Sequence, residues 1–474
     1  MTFALSLSLL SPILGALLIG SLDRFVSRRV VVLASLLFSL TMLVVARPGA
    51  HVGWWSPDRL GWFLAVASLI MGLCVCHYAV RQFAGEARGR AFLAMALTII
   101  GCVVSTDLSS TTLSLCLSWV STSVFTVLLL RLGGVAGRTS SPWRRAAMTF
   151  IVCDLILLVA IASTYAFSHR LSVLSPWNDR IHGVASVLFV AGAMVAAAGR
   201  AGLTLRRSWV IDTVNAPTPA SALLHAGVVN AGALLIFRVQ GIAGSSIPLE
   251  LMLAATCLVV LVTLAPRIHA RVDLKGQLAA STVAQMSLML TAMALGYPLL
   301  AFTHAVGHGL YKAGRFMSAG GAIDQRARLR RRRPRGAVLS RRARSLAALT
   351  LGVVAATWGA SVGGDAPALM GVFGPAAMVV WWARSATPLQ SVVTVWSGLA
   401  LALLTYGAFV AELGRLLALS RVAAQWQAPW WSLGVLVLVV VGSTAWRRFQ
   451  SSVSSRLADS VDVRSPGPRV SVPS

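Results

Sequence analysis

Four places in this 474-residue chain set ionisable or conformationally special residues among apolar neighbours, and each suggests chemistry. In the stretch Phe302-Thr-His-Ala-Val-Gly-His-Gly-Leu-Tyr-Lys, the side chains of His304, His308 and Lys312 recur at i, i+4 and i+8, which aligns them on one helical face. Two imidazoles and an amine in a row suit a proton relay, because imidazole exchanges protons near neutrality and a desolvated amine can join it. Hydrogen-bonded packing between helices is the competing reading. A metal site fits less well, since this face lacks cysteine and carboxylate ligands.

The second place is Asn215-Ala-Pro-Thr-Pro-Ala-Ser-Ala-Leu-Leu-His-Ala-Gly-Val-Val-Asn-Ala-Gly. Pro217 and Pro219 break or start a helix there, and His225 and Asn230 follow in an apolar, small-residue span. A helix broken at membrane depth usually borders a polar cavity or ion path; a proline-capped start with one satisfied histidine is the alternative. The third is Arg200, which can hold a counter-ion but does not release a proton. Asp154, in Ile151-Val-Cys-Asp-Leu, is the fourth, a lone carboxylate able to pair with a cation on a neighbouring helix, for structure or for transport.

These groups matter because of what surrounds them. The chain is 57% hydrophobic and 12% charged, with a mean hydropathy of +0.78, so a soluble enzyme is excluded. Apolar windows of about 17 to 25 residues, the helical length a bilayer core demands, recur almost without a break. About fifteen can be placed, at 2–21, 30–46, 61–80, 91–106, 110–130, 146–167, 183–205, 220–240, 247–265, 276–296, 298–320, 346–362, 366–383, 388–411 and 429–445. The runs are continuous rather than alternating, which predicts an all-α polytopic membrane protein of about 13–15 transmembrane helices, not a barrel. Six cysteines lie in apolar stretches without ligand or disulfide spacing and read as small buried hydrophobes. The N-terminus reads as a retained first span rather than a signal peptide.

The net charge of +27 comes from 41 basic residues, only two of them lysines, against 14 acidic ones. In a soluble protein that balance would suggest nucleic acid; here 32 of the 41 fall in loops after odd-numbered spans and in the C-terminal tail, and seven, including Arg59 and Arg238, in the others. By the positive-inside rule the N-terminus is outside and the C-terminus cytoplasmic, in the plasma membrane, with no nucleic-acid partner. Arg326–Arg344 holds ten arginines in nineteen residues, suited to anionic lipid, to an acidic partner or simply to a solvated stop-transfer loop. The expected organisation is N-terminal helices at 1–60, a polar-punctuated core at 61–320, a basic cytoplasmic loop at 321–345, C-terminal helices at 346–446 and a disordered tail at 447–474.

Three phrases carry a resemblance: Ala216-Pro-Thr-Pro-Ala-Ser-Ala-Leu-Leu-His, Asp273-Leu-Lys-Gly-Gln-Leu-Ala-Ala-Ser-Thr-Val-Ala-Gln, and His304 through Lys312. They resemble the antiporter-like membrane subunits of respiratory complex I, the NADH-quinone oxidoreductase chain 5 superfamily. Within it the wording is closest to the DabB membrane subunits of Dab-type inorganic carbon transporters, through Leu224-His-Ala-Gly-Val-Val-Asn-Ala-Gly, Lys275-Gly-Gln-Leu-Ala-Ala-Ser-Thr and His308-Gly-Leu-Tyr-Lys-Ala. The likeness covers 200–320 well, 110–200 more weakly through Trp119-Val-Ser-Thr-Ser, and nothing specific beyond the arginine loop.

The resemblance implies an antiporter-like fold with broken helices and a transport subunit rather than an enzyme. It implies conduction of H+ or Na+ along His225, His304, His308 and Lys312, with Arg200 and Asp154 as further candidates for the path, and with no catalytic residue, cofactor or metal in this chain. A DabA-like soluble partner would carry the zinc and hydrate CO2, with ion flow driving bicarbonate accumulation. A membrane subunit of a quinone oxidoreductase or hydrogenase complex, or a cation/proton antiporter subunit, are the alternatives. The chain also departs from the complex I pattern. Val120 stands where those subunits carry Glu, Arg200 replaces a lysine, Arg207 and Asn215 replace a histidine and an acid, and no lysine follows Lys312.

Overall fold

The computed structural model describes residues 1–319, apart from 22–24, 87, 133–141, 169–180, 182, 204–207, 245, 271–272 and 297. The four spans expected beyond 346, the arginine-rich loop and the tail lie outside the described residues.

All of the regular structure described is helical. The helices are α1 (Thr2–Ser21), α2 (Phe25–Ala46), α3 (Arg59–Gln82), α4 (Gly89–Asp107), α5 (Thr112–Leu132), α6 (Pro142–Ser168) and α7 (Val184–Arg200). After these come a four-residue α8 (Trp209–Asp212), α9 (Thr218–Ala226), α10 (Ala231–Ala243), α11 (Ile247–Ala270), α12 (Leu274–Ala294) and α13 (Pro298–Ser318). By length and composition, seven helical segments among the described residues can cross a membrane, one of them being α9 and α10 taken together.

Two features mark the bundle as lipid-embedded. Large apolar side chains point outward from it, including Phe3, Leu17, Met148, Val159, Val184 and Met252, each more than 60% exposed. In water such an apolar girdle would drive aggregation; in hydrocarbon it is the solvated face. Inside, close approach replaces hydrophobic drive. Ser8 and Ser39 exchange hydroxyl-to-carbonyl hydrogen bonds at 2.9 and 2.7 Å, and Ser11 reaches the Ser35 carbonyl, which stitches α1 to α2. A Cβ on Gly15 would lie 2.6 Å from Ser35 Oγ, and one on Gly192 2.4 Å from Ala160 Cβ, so both glycines set how near their helices come.

Capping follows the sequence. Asp58 accepts the Gly61 amide at 2.8 Å at the head of α3, and Asp273 accepts the Gly276 amide at 2.6 Å at the head of α12. Pro217 is the N-cap of α9 and Pro219 sits in its first turn, where a missing N–H costs nothing. The two prolines therefore start the helix rather than interrupt it. The interruption falls later, at Gly227 and the 3₁₀ turn Val228–Asn230, between α9 and α10.

Two further expectations are corrected. Arg238 belongs to no loop; it lies in α10, with its side chain 9% exposed and paired to Asp58. Cys74 is exposed on α3 rather than buried, whereas Cys76, Cys102, Cys116 and Cys257 are buried as expected.

Candidate functional site

Among the described residues the buried charged groups and histidines gather in two clusters, both centred on residues expected from the sequence, and a third group lies at one end of the bundle.

The first cluster joins α5, α6 and α7. Arg200 ends α7 with 1% of its surface exposed, and its guanidinium lies 4.1 Å from the ring centroid of Trp119 and 5.0 Å from that of Phe150. Its Nη2 donates to the Trp119 carbonyl at 3.1 Å and to Ser123 Oγ at 2.7 Å. Asp154 on α6 accepts from Trp119 Nε1 at 2.9 Å and from Ser123 Oγ at 2.5 Å. Where the complex I pattern puts a Glu after Trp119, the acid facing the α7 cation comes from α6 instead. Arg200 stays charged throughout, so this is a fixed ion pair cushioned by aromatic faces. Its Nε and Nη1 have no hydrogen-bond partner among the described residues.

The second cluster joins α9, α12 and α13. Lys312, 1% exposed, donates from Nζ to the Leu278 carbonyl at 2.7 Å and to Ser281 Oγ at 2.5 Å. One turn back along α13 stands His308, 5% exposed, and one turn further His304, whose ring stacks 5.9 Å from that of His308. His225, fully buried on α9, contacts Thr213 Oγ1 through Nε2 at 3.1 Å and stacks on Phe316 at 4.5 Å. Lys312, His304 and His225 all fall within electrostatic reach of His308. The periodicity that aligned the three α13 residues is thus realised, and His225 faces the same row from the broken helix.

Most buried histidine nitrogens in folded proteins are hydrogen-bonded. Here Nδ1 of His225, Nε2 of His304 and both nitrogens of His308 have no partner among the described residues. A row that offers lone pairs and protons at about one helical turn's spacing, beside an ammonium, can accept and pass a cation. Among the described residues no three His, Cys, Asp or Glu side chains are placed to share a metal ion.

The sequence reading missed the third group. Asp107, 5% exposed at the end of α4, accepts from Ser68 Oγ at 3.0 Å. Arg238 lies within electrostatic reach of it and forms a bidentate pair with Asp58, at 2.9 and 2.6 Å. In the sequence Asp107-Leu-Ser-Ser reads as an ordinary polar helix end; only the packing of α3 and α10 against α4 buries it.

A family model described as NADH:quinone oxidoreductase/Mrp antiporter, transmembrane, matches residues 109–405. The chain belongs to that family. The matched segment of this antiporter-family chain contains Trp119, Asp154, Arg200, His225, His304, His308 and Lys312, while Asp58 and Asp107 precede it. The chain is 30% identical over 297 residues to a probable inorganic carbon transporter subunit DabB of Bacillus anthracis, 61% of this chain and 57% of that one. It is 27% identical over 267 residues to NADH-ubiquinone oxidoreductase chain 5 of Strongylocentrotus purpuratus, 55% of this chain and 41% of that one. Its fold resembles a chain in the structure of the Mrp complex from Dietzia sp. DQ12-45-1b, with a TM-score of 0.60 at 20% identity, over 98% of this chain and 60% of that one. The chain therefore spans under two thirds of the length of each of these relatives.

Proposed function

We propose that this chain is the membrane subunit of an energy-coupled inorganic carbon uptake complex. Cations, protons foremost, move along His225, His304, His308 and Lys312, and their flow drives a soluble, zinc-bearing, DabA-like partner that hydrates CO2 to bicarbonate. The carrying observation is the row on α13, with His308 and Lys312 buried and His304 half-buried, in which Nε2 of His304 and both nitrogens of His308 have no hydrogen-bond partner among the described residues. The likeness to DabB subunits supports this use of the row. Arg200 and Asp154 flank this route as a fixed charge pair that biases where a mobile cation rests; neither needs to carry it. The charge bias supports an N-terminus outside the cell and a C-terminus in the cytoplasm.

Co-expression with its soluble partner should restore growth in ambient air to a bacterium lacking carbonic anhydrase, and an uncoupler should abolish bicarbonate accumulation. Accumulation that continues under the uncoupler defeats the energy-coupling role. A second reading, a membrane arm of a redox complex, draws on the likeness to chain 5. Copurification decides between them: a soluble zinc-containing chain supports the first, quinone-oxidoreductase or hydrogenase subunits the second.

A further inference from the structure

A narrow, open cleft lies between α3, α4, the α9–α10 break and α13. Most of its wall is apolar, from residues such as Leu64, Val103 and Phe302, but three polar side chains face it: Ser68, Asp107 and Asn230. Asn230 donates to the carbonyls of Ala226 at 2.7 Å and Ala305 at 3.2 Å, while its own Oδ1 has no partner among the described residues. Ala305 neighbours His304 on α13, and Ala226 neighbours His225 on α9. The cleft thus backs onto the same two helical segments that carry the histidine row, and Asn230 sits at the partition.

The far end of the cleft is the end of α4 away from Arg88 and Arg90, and it carries a carboxylate and a cation. Asp107 has Ser68 as donor, and Arg238 stands within reach of it while held by both oxygens of Asp58. Gly61 makes this convergence possible: a Cβ there would come within 2.2 Å of the Asp107 carbonyl and 2.8 Å of Asp58 Oδ1. A buried acid beside a cation already occupied elsewhere is only partly neutralised, so it can still bind and release a proton or small cation.

We propose that this cleft is the half of the ion path on the side opposite the basic loops, and that Asp107 is its terminal cation-binding group. The inference rests on the row from His304 to Lys312 serving as the other half. A cation leaving the row passes Asn230, crosses the cleft and meets the Asp107 carboxylate before reaching the surface near Asp58.

The test uses the complex purified through this chain and reconstituted in phosphatidylethanolamine/phosphatidylglycerol vesicles. A potassium diffusion potential drives proton movement, which internal pyranine reports. Asp107→Asn keeps the acceptor for Ser68 yet removes the charge, so a merely structural role would survive it; proton movement should fall about 100-fold, and Asp107→Glu should recover most of it. Wild-type rates in Asp107→Asn, with Lys312→Ala slow, would overturn the inference and leave the row intact. Wild-type rates in Lys312→Ala would instead overturn the row, and the inference with it. A readout independent of folding yield is thiol labelling in intact cells: Ala67→Cys, in the cleft wall, should react with a membrane-impermeant methanethiosulfonate reagent, and absence of reaction also overturns the proposal.

Discussion

Arg200 and Asp154 stand 3.9 Å apart on α7 and α6, and the hydroxyl of Ser123 completes the bridge by accepting from one while donating to the other. Neither charge could be held there alone. Removing one partner of a buried pair leaves the other without compensation, which is more damaging than removing both.

Arg200→Leu and Asp154→Leu should therefore each destabilise the protein by about 3–5 kcal/mol. The double substitution should recover much of that loss. Thermal unfolding of the detergent-solubilised protein, read as a double-mutant cycle, checks this. Additive losses would show that the two residues do not act as a pair.

Lys312 separates a structural from a conducting role in one position. Lys312→Arg keeps a cation able to reach the Leu278 carbonyl and Ser281, but a guanidinium does not release its proton. The variant should stay folded while vesicle proton movement falls by about 100-fold. Retained flux in a folded Lys312→Arg protein would mean that the amine only packs.

Gly307 and Gly309, two residues apart on α13, differ in what they approach. A Cβ on Gly309 would meet Met71 Sδ at 2.6 Å and the backbone carbonyl of Ala226 at 2.7 Å, whereas one on Gly307 meets nothing within 4 Å. Gly309→Ala should cost about 1–3 kcal/mol by forcing α13 off α9. Gly307→Ala should be neutral or stabilise by up to about 1 kcal/mol through helix propensity. Equal melting temperatures for the two variants would refute the close approach.

The proposed sidedness is checked by labelling the two exposed turns that flank α3. His51→Cys should react with an impermeant thiol reagent in intact cells, and Ala84→Cys only after permeabilisation. The reverse pattern would invert the topology.

How far the sequence reached depends on the kind of signal. Long apolar runs translate directly into helices, so the spans up to 320 fall on described helices to within about five residues, except that 220–240 is split into α9 and α10. The i, i+4, i+8 spacing likewise reports a face, and His304, His308 and Lys312 share it. Breaks and partners are harder to read. Pro217 and Pro219 announce a boundary but not which side of it is helical, and Gly227, the residue that does loosen the ladder, resembles any small residue of a packed span. The apolar window ends near Arg238, which reads as a loop residue; the acid that holds it inside α10 lies 180 residues away at Asp58. Asp107 gave no local sign at all, since its burial depends on helices α3 and α10.

The unequal anchoring of the broken helix has a mechanical consequence. α10 is bolted to the head of α3 by the bidentate grip of Arg238 on Asp58. Among the described residues α9 has no such ion pair: His225 and Ser221 hydrogen-bond Thr213, and His225 stacks on Phe316. Any rocking about Gly227 would therefore work against hydrogen bonds and stacking at α9, and against an ion pair at α10.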